Sequence, residues 1–231
     1  MIADDPTAKP AKRHGLITRL WHWINVVAVV ILFMSGLNIS NAHRYLYWGD
    51  AGFDPADAWF SVIRFPGWST IPGYYSLAAA RDWHILFAWV FAVGLLVMWI
   101  AMVASGHCWR DLKTRAREWR PAAIRHDIAE HLKLNFDHAE GKYNFLQRVA
   151  YGLVLGIVLP GMVLTGMAIS PGVEGFAPWL VDLFGGRQSA RSIHFILTWG
   201  LAAFFVVHVL LMLVSGPIRQ MRDMITGGRA T

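Results

Sequence analysis

The chain has 231 residues, 55% of them hydrophobic and 16% charged, with a formal net charge of +6. That apolar excess argues against a conventional soluble core and for a membrane protein, whose cytoplasmic loops account for the positive charge more simply than nucleic-acid binding does. The single cysteine, Cys108, excludes an intramolecular disulfide, a Cys-x-x-Cys-His haem attachment and a thiolate-held iron–sulfur cluster within the chain, so a redox centre here has to be held by histidine.

The first fifteen residues are polar, and the apolar run after them lacks a small-residue cleavage site, which predicts a retained first helix acting as its own insertion signal. Windows free of Asp, Glu, Lys and Arg run from Leu20 to His43, Trp83 to Trp109, Val149 to Val173 and Ser192 to Ile218. Each exceeds the roughly 20 residues that cross a bilayer. Trimmed where Gly, Asn, Pro and Ser gather, they predict helices at about 18–39, 82–105, 144–168 and 191–215. The expected fold is all-α: one membrane domain, 1–231, built as an up-and-down four-helix bundle. Pro160 falls inside the third helix and should bend it.

Between the first two helices, 40–81 is rich in aromatic residues, Gly and Pro (YLYWGD, WFSVIRFPGW, IPGYY), a composition that suits an interfacial belt and a docking surface for another subunit. The connection 106–143 is basic, and His126 to Phe136 (HDIAEHLKLNF) reads either as a short amphipathic helix on the membrane surface or as a solvated connector. Sixteen of the twenty-one Lys and Arg lie before the first helix, in the middle connection with Arg148, or after the last helix. Arg44, Arg64, Arg81, Arg187 and Arg191 make up the rest. This asymmetry predicts that both termini and the middle loop are cytoplasmic, with 40–81 and 169–190 outside.

Ionisable residues at membrane depth are functional candidates. His194 and His208, fourteen residues apart on the last helix, return to nearly one face after roughly 21 Å of rise. His22 opens the first helix at the depth of His208, and His84 opens the second at the depth of His194. Two pairs matched in depth, each from opposing helices, suit two bis-histidine haems. Arg19, Arg81 and Arg191 stand three residues before His22, His84 and His194, where they are candidates for haem propionates or ordinary snorkelling anchors. Gly36, Gly94, Gly166 and Gly200 within the helices suit close approach of a macrocycle or of a neighbouring helix. His14, His43, His107, His126, His131 and His138 read as solvated or loop residues; spacings of five and seven among the last three make a poor zinc site.

The halves of the chain also repeat. His84 aligns with His194, Trp89 with Trp199 and Ser105-Gly106 with Ser215-Gly216, while Met98 falls where His208 sits. The first and third helices end alike, in MSGLNIS and LTGMAIS. The bundle therefore reads as two helical hairpins of similar design.

With RLWHWIN around His22, RDWH around His84 and RSIH…VVH around His194 and His208, the chain resembles the bacterial cytochrome b561 family across all four helices. That family includes the cytochrome b subunits of nickel–iron hydrogenase, formate dehydrogenase and thiosulfate reductase. The resemblance implies two haem b groups, an inner one on His22 and His208 and an outer one on His84 and His194. It further implies electron transfer between a redox partner and the quinone pool in the bacterial inner membrane. The partner expected is an outer-face subunit such as a molybdenum enzyme or another dehydrogenase, given the long 40–81 and 106–143 segments. Near the inner haem, His14, Arg19, Asn25, Tyr143 and Gln147 are candidate quinone contacts. Two other readings remain at this stage: a stand-alone superoxide:quinone oxidoreductase, and a haem-free transporter or anchor.

Overall fold

The computed structural model describes residues 15–106, 112–132, 145–214 and 216–228. Four long apolar helices cross the molecule: α1 (Leu16–Ala42), α2 (Leu77–Ala104), α4 (Phe145–Ile169) and α7 (Arg187–Val214), with α3 (Pro121–Leu132) between the second and third. Short helices α5 (Pro171–Glu174) and α6 (Trp179–Leu183) join α4 to α7, and α8 (Pro217–Thr226) follows. α4 matches its prediction to within one residue at each end, whereas α1, α2 and α7 begin two to five residues before their predicted bounds, because polar flanks supply backbone partners that hydropathy does not register. Ser76 is one example: its side chain accepts from the Ala79 N–H (3.3 Å) and starts α2 before the first charge-free residue.

Successive long helices run antiparallel. One end of the bundle, here the terminal face, carries the start of α1 together with α3 and α8. The opposite, far face carries 43–76 and the α5–α6 connection. Large apolar side chains along the helix exteriors, among them Val27, Val30, Leu96, Val97, Ile100, Ile157, Leu164, Val206 and Leu210, are exposed. In water such a surface would be a liability; against lipid it is the ordinary solution.

The two hairpins are internally tight and mutually loose. Backbones of α1 and α2 stay close along their length, as do those of α4 and α7, whereas among the described residues the two hairpins come close mainly where α2 meets α4 and where Tyr45–Leu46 and Gly49 meet the start of α7. Side chains bridge the remaining gap near mid-depth, where Ala28, Phe91, Leu95, Val154 and Leu159 form a buried cluster with Trp21, Leu201 and Phe204 against it.

The bend expected at Pro160 takes a specific form. The turn Val154–Val158 is a π-helix, with the Leu159 N–H reaching back to Val154 O. A widened turn just ahead of the proline absorbs the missing backbone donor and the ring's bulk without ending the helix.

At the far face the 43–76 segment is fastened to the helix ends. Strands β1 (Tyr45–Leu46) and β2 (Phe60–Ser61) pair antiparallel, Tyr45 opposite Ser61. Gly49 O accepts from the Gln188 and Ser189 N–H groups (2.9 and 3.1 Å), and the Gly49 N–H donates to Ser189 Oγ (2.7 Å). Ser192 Oγ donates to Tyr47 O (2.6 Å) and receives the Trp59 indole N–H (2.9 Å). Gly186 permits this contact: its φ is +108°, and a Cβ there would lie 2.5 Å from Gly49 O. From the other hairpin, fully buried Asn38 donates to Pro72 O and Tyr74 O (3.0 and 2.9 Å).

At the terminal face α8 starts after Gly216 (φ +90°) with Pro217 in its first turn. It lies against the start of α1, where Arg19 Nη1 donates to Ile225 O and the Trp23 indole N–H to Met224 O (3.4 Å). Only the 126–132 part of the predicted surface helix falls within the described residues, and it belongs to α3. Asp127 Oδ2 accepts from the Leu146 N–H at the start of α4 (3.0 Å), and Glu118 pairs with Arg148 (2.6 Å).

Candidate functional site

The bundle brings the four span histidines together in two pairs, each reaching across the gap between the hairpins. His84 on α2 faces His194 on α7 with ring centres 6.3 Å apart and planes at 63°. His22 on α1 faces His208, also on α7, at 6.5 Å and 62°. The first pair lies toward the far face, the second toward the terminal face. An iron held by two imidazole nitrogens at about 2 Å each sets ring centres about 6 Å apart, so both separations fit a bis-histidine iron.

The far pair carries its own orienting groups. Ser35 Oγ lies 3.0 Å from His84 Nδ1, and Thr165 Oγ1 lies 2.9 Å from His194 Nδ1. A hydroxyl has one proton. Ser35 directs its proton to Ile31 O (2.7 Å), and Thr165 directs its own to Gly161 O (2.6 Å), the usual back-bond of such residues in a helix. With the hydroxyl protons so directed, each hydroxyl oxygen is an acceptor for the ring, the arrangement that assigns the proton to Nδ1 and leaves the Nε2 lone pair for a metal.

The residues after these hydroxyls are Gly36 and Gly166. A Cβ on Gly36 would sit 3.6 Å from His84 Cε1, and one on Gly166 would sit 3.4 Å from His194 Cε1. The rings rest on bare backbone.

The terminal pair is framed by aromatic rings instead. His22 meets Trp23 edge-on at 5.3 Å, and His208 stacks on Phe204 at 5.9 Å and 19°. His208 is the exposed member of the four.

Outward of the far pair, Arg81 and Arg191 each stand one turn beyond a histidine. Arg191 donates to Gln188 Oε1 (2.8 Å), while Arg81 is exposed. Between them comes His43, just past the end of α1. It is half-buried, not the solvated loop residue its sequence context suggests, and its Nε2 is buried with no hydrogen-bond partner among the described residues. Burial, then the nearby Arg191 and Arg81 guanidinium groups, hold this imidazole below its ordinary value. An unpartnered donor or acceptor beside two cations is a niche that a carboxylate would complete.

Near the terminal pair Arg19 is engaged with α8, although its Nε is buried without a partner. Asn25 donates to Trp21 O (2.8 Å) and both residues lie against Gly94, while Asn25 Oδ1 and the Trp21 indole nitrogen are buried with no hydrogen-bond partner among the described residues. Gln147 lies in the first turn of α4, partly buried. His14 and Tyr143 lie outside the described residues. A cleft of about 410 Å³ opens beside α8, lined by Leu16, Arg19, Leu20, Trp23, Met224 and Ile225. Trp23 thus touches both the cleft and His22.

Sequence reasoning missed Ser35, Thr165 and His43. The first two carried a signal, the shared Ser/Thr-Gly step within MSGLNIS and LTGMAIS. His43 carried none, since an imidazole at the edge of a polar segment looks the same whether it is solvated or folded inward.

The family described as prokaryotic cytochrome b561 matches residues 13–227 of this chain. A protein of Azospira oryzae, named as a protein-methionine-sulfoxide reductase subunit, YedZ1, is 34% identical over 192 residues, covering 83% of this chain and 85% of that one. A protein of Cupriavidus necator named as a Ni/Fe-hydrogenase B-type cytochrome subunit is 26% identical over 220 residues, 90% of this chain and 81% of its own. One of the same name in Azotobacter vinelandii is also 26% identical, over 84% of this chain and 76% of its own.

Proposed function

The chain belongs to the prokaryotic cytochrome b561 family, and on that premise we propose that it is the di-haem, quinone-linked electron-transfer subunit of an oxidoreductase complex in the bacterial inner membrane. The observation that carries this reading is the presence of two facing histidine pairs at two depths. His84 and His194 would hold one haem b and His22 and His208 the other. When bound, haem iron supplies reversible one-electron transfer, and the protein sets its potential through ligand, burial and hydrogen bonding.

The chain's own residues fix the remaining terms. Ser35 and Thr165 hold the far imidazoles in the metal-binding tautomer. Arg81 and Arg191, with Arg19 at the opposite end, are the candidates for propionate carboxylates. Lys and Arg accumulate toward the terminal face, which favours the cytoplasm for that face and the periplasm for the far face.

Quinone exchange fits the terminal face. The cleft beside α8 is apolar apart from Arg19, opens toward lipid and lies one aromatic ring from His22. Asn25 and Gln147, with His14 and Tyr143, are further candidates for holding the head group or its protons. The far face suits a redox partner: Trp48, Phe53, Trp68, Phe176 and Trp179 are exposed there. That the relatives are named as subunits of a reductase and of a hydrogenase supports a redox enzyme as that partner, and a molybdenum enzyme or another dehydrogenase is the kind we propose.

Purified chain should contain two b-type haems by pyridine haemochrome assay, and His84→Leu or His194→Leu should remove one and keep the other. One haem in the unaltered chain, or two in either variant, would overturn the assignment. Quinone reduction by superoxide with no partner present would favour a stand-alone oxidoreductase instead.

A further inference from the structure

We infer that Ser35 and Thr165 are positioning residues that lower the reduction potential of the far-face haem relative to unsupported imidazole ligation, an inference that rests on the di-haem reading above. Each hydroxyl sits in a chain of two hydrogen bonds. The ring Nδ1–H donates to the hydroxyl oxygen (3.0 Å for His84, 2.9 Å for His194), and the hydroxyl donates to the carbonyl one turn back (2.7 and 2.6 Å). Bonds in such a chain polarise one another, so the oxygen is a better acceptor than an isolated hydroxyl. Pulling on the Nδ1 proton raises electron density at Nε2 and the basicity of the ligand. A more basic pair of axial nitrogens favours ferric over ferrous iron, and the potential falls.

Both ligands of the far iron receive this treatment, from hydroxyls at equivalent places in the two hairpins. Gly36 and Gly166 keep each ring pressed on the same turn that carries the hydroxyl. The terminal pair, framed by Trp23 and Phe204, lies at the other end of the bundle from Ser35 and Thr165.

The test is a redox titration of purified, haem-loaded protein, resolving the two haem components by their absorption bands, with low-temperature electron paramagnetic resonance of the ferric state. Ser35→Ala and Thr165→Val should each raise the midpoint of the far component, and the double variant should raise it further. The terminal component should stay in place. Ser35→Thr and Thr165→Ser retain the hydroxyl and should restore the unaltered midpoint and ferric spectrum. If an apolar variant loses the far haem altogether while its hydroxyl-retaining counterpart keeps it, the positioning role stands in its stronger form. Unmoved far midpoints in loaded Ala and Val variants, equal movement of both components, or failure of the hydroxyl-retaining variants would each overturn the inference. Absence of two b-type components from the unaltered protein would instead overturn the di-haem reading itself.

Discussion

Gly36 and Gly166 show how much a missing side chain contributes at this site. A Cβ at either place would touch an imidazole at ordinary contact distance, 3.6 and 3.4 Å, so alanine is expected to fit. Valine adds branches that have nowhere to go but into the ring, an overpacking cost of about 1–3 kcal/mol. Gly166→Val should therefore lose or distort far-face haem binding while Gly166→Ala retains it, read from the haem-to-protein absorbance ratio. The four facing histidines were legible because a charge-free span makes any ionisable side chain conspicuous. Ser35 and Thr165 were not, because a hydroxyl back-bonding in a membrane helix looks alike whether or not an imidazole leans on it. The Ser/Thr-Gly step within MSGLNIS and LTGMAIS marked these two, but Ser105-Gly106 and Ser215-Gly216 repeat the same step at the ends of the other two spans, so the step alone did not single them out.

Among the elements, the terminal-face connector has a pH signature of its own. Burial would raise the Glu118 carboxyl, but the Arg115 backbone N–H and then the Arg148 guanidinium outweigh it and hold the group below its ordinary value of 4.5. A carboxylate whose folded value is depressed contributes stability above its unfolded value, and that contribution is lost as pH falls through the folded one. Limited proteolysis of residues 112–132 should accordingly rise as pH drops below about 4.5, and Glu118→Gln should make the same stretch susceptible already at neutral pH. Helix α8 offers a second case. Ending the chain after Gly216 removes the carbonyls that hold Arg19 and Trp23, and Trp23 packs on His22. The absorption and midpoint of the terminal haem should change while the far haem stays as it was. The long helices could be read from hydropathy because lipid demands it of them. α8 was counted for its charges alone; its punctuation by Gly216, Pro217 and Gly227 was present in the sequence, but what it packs on depends on residues some 200 positions away.

For the whole molecule, the repeat anticipated two hairpins, and the fold adds how unequally they are held. Within a hairpin, backbone lies on backbone; between hairpins the facing imidazoles, the mid-depth cluster and aromatic pairs such as Phe33–Trp199 make the contact through side chains. The strap at Gly49 joins the hairpins across the far face, through Ser189 and the close fit at Gly186. Gly186→Ala places a methyl 2.5 Å from Gly49 O on a residue with φ +108°, a strain of about 1–3 kcal/mol. It should lower the melting temperature and loosen the far face, measured as faster amide exchange at Gln188 and Ser189. No run of sequence announced this strap, since its hydrogen bonds join segments about 140 residues apart, two of them through backbone groups that any residue carries and one through the Ser189 hydroxyl.

Because each hairpin holds a complete hydroxyl–histidine–glycine unit, half of the far-face site is finished as soon as one hairpin has entered the membrane. The second hairpin brings the matching half. On the di-haem reading, an iron shared by His84 and His194 would tie the two hairpins to each other at the far face, so the cofactor would serve as a cross-link between halves that otherwise insert separately.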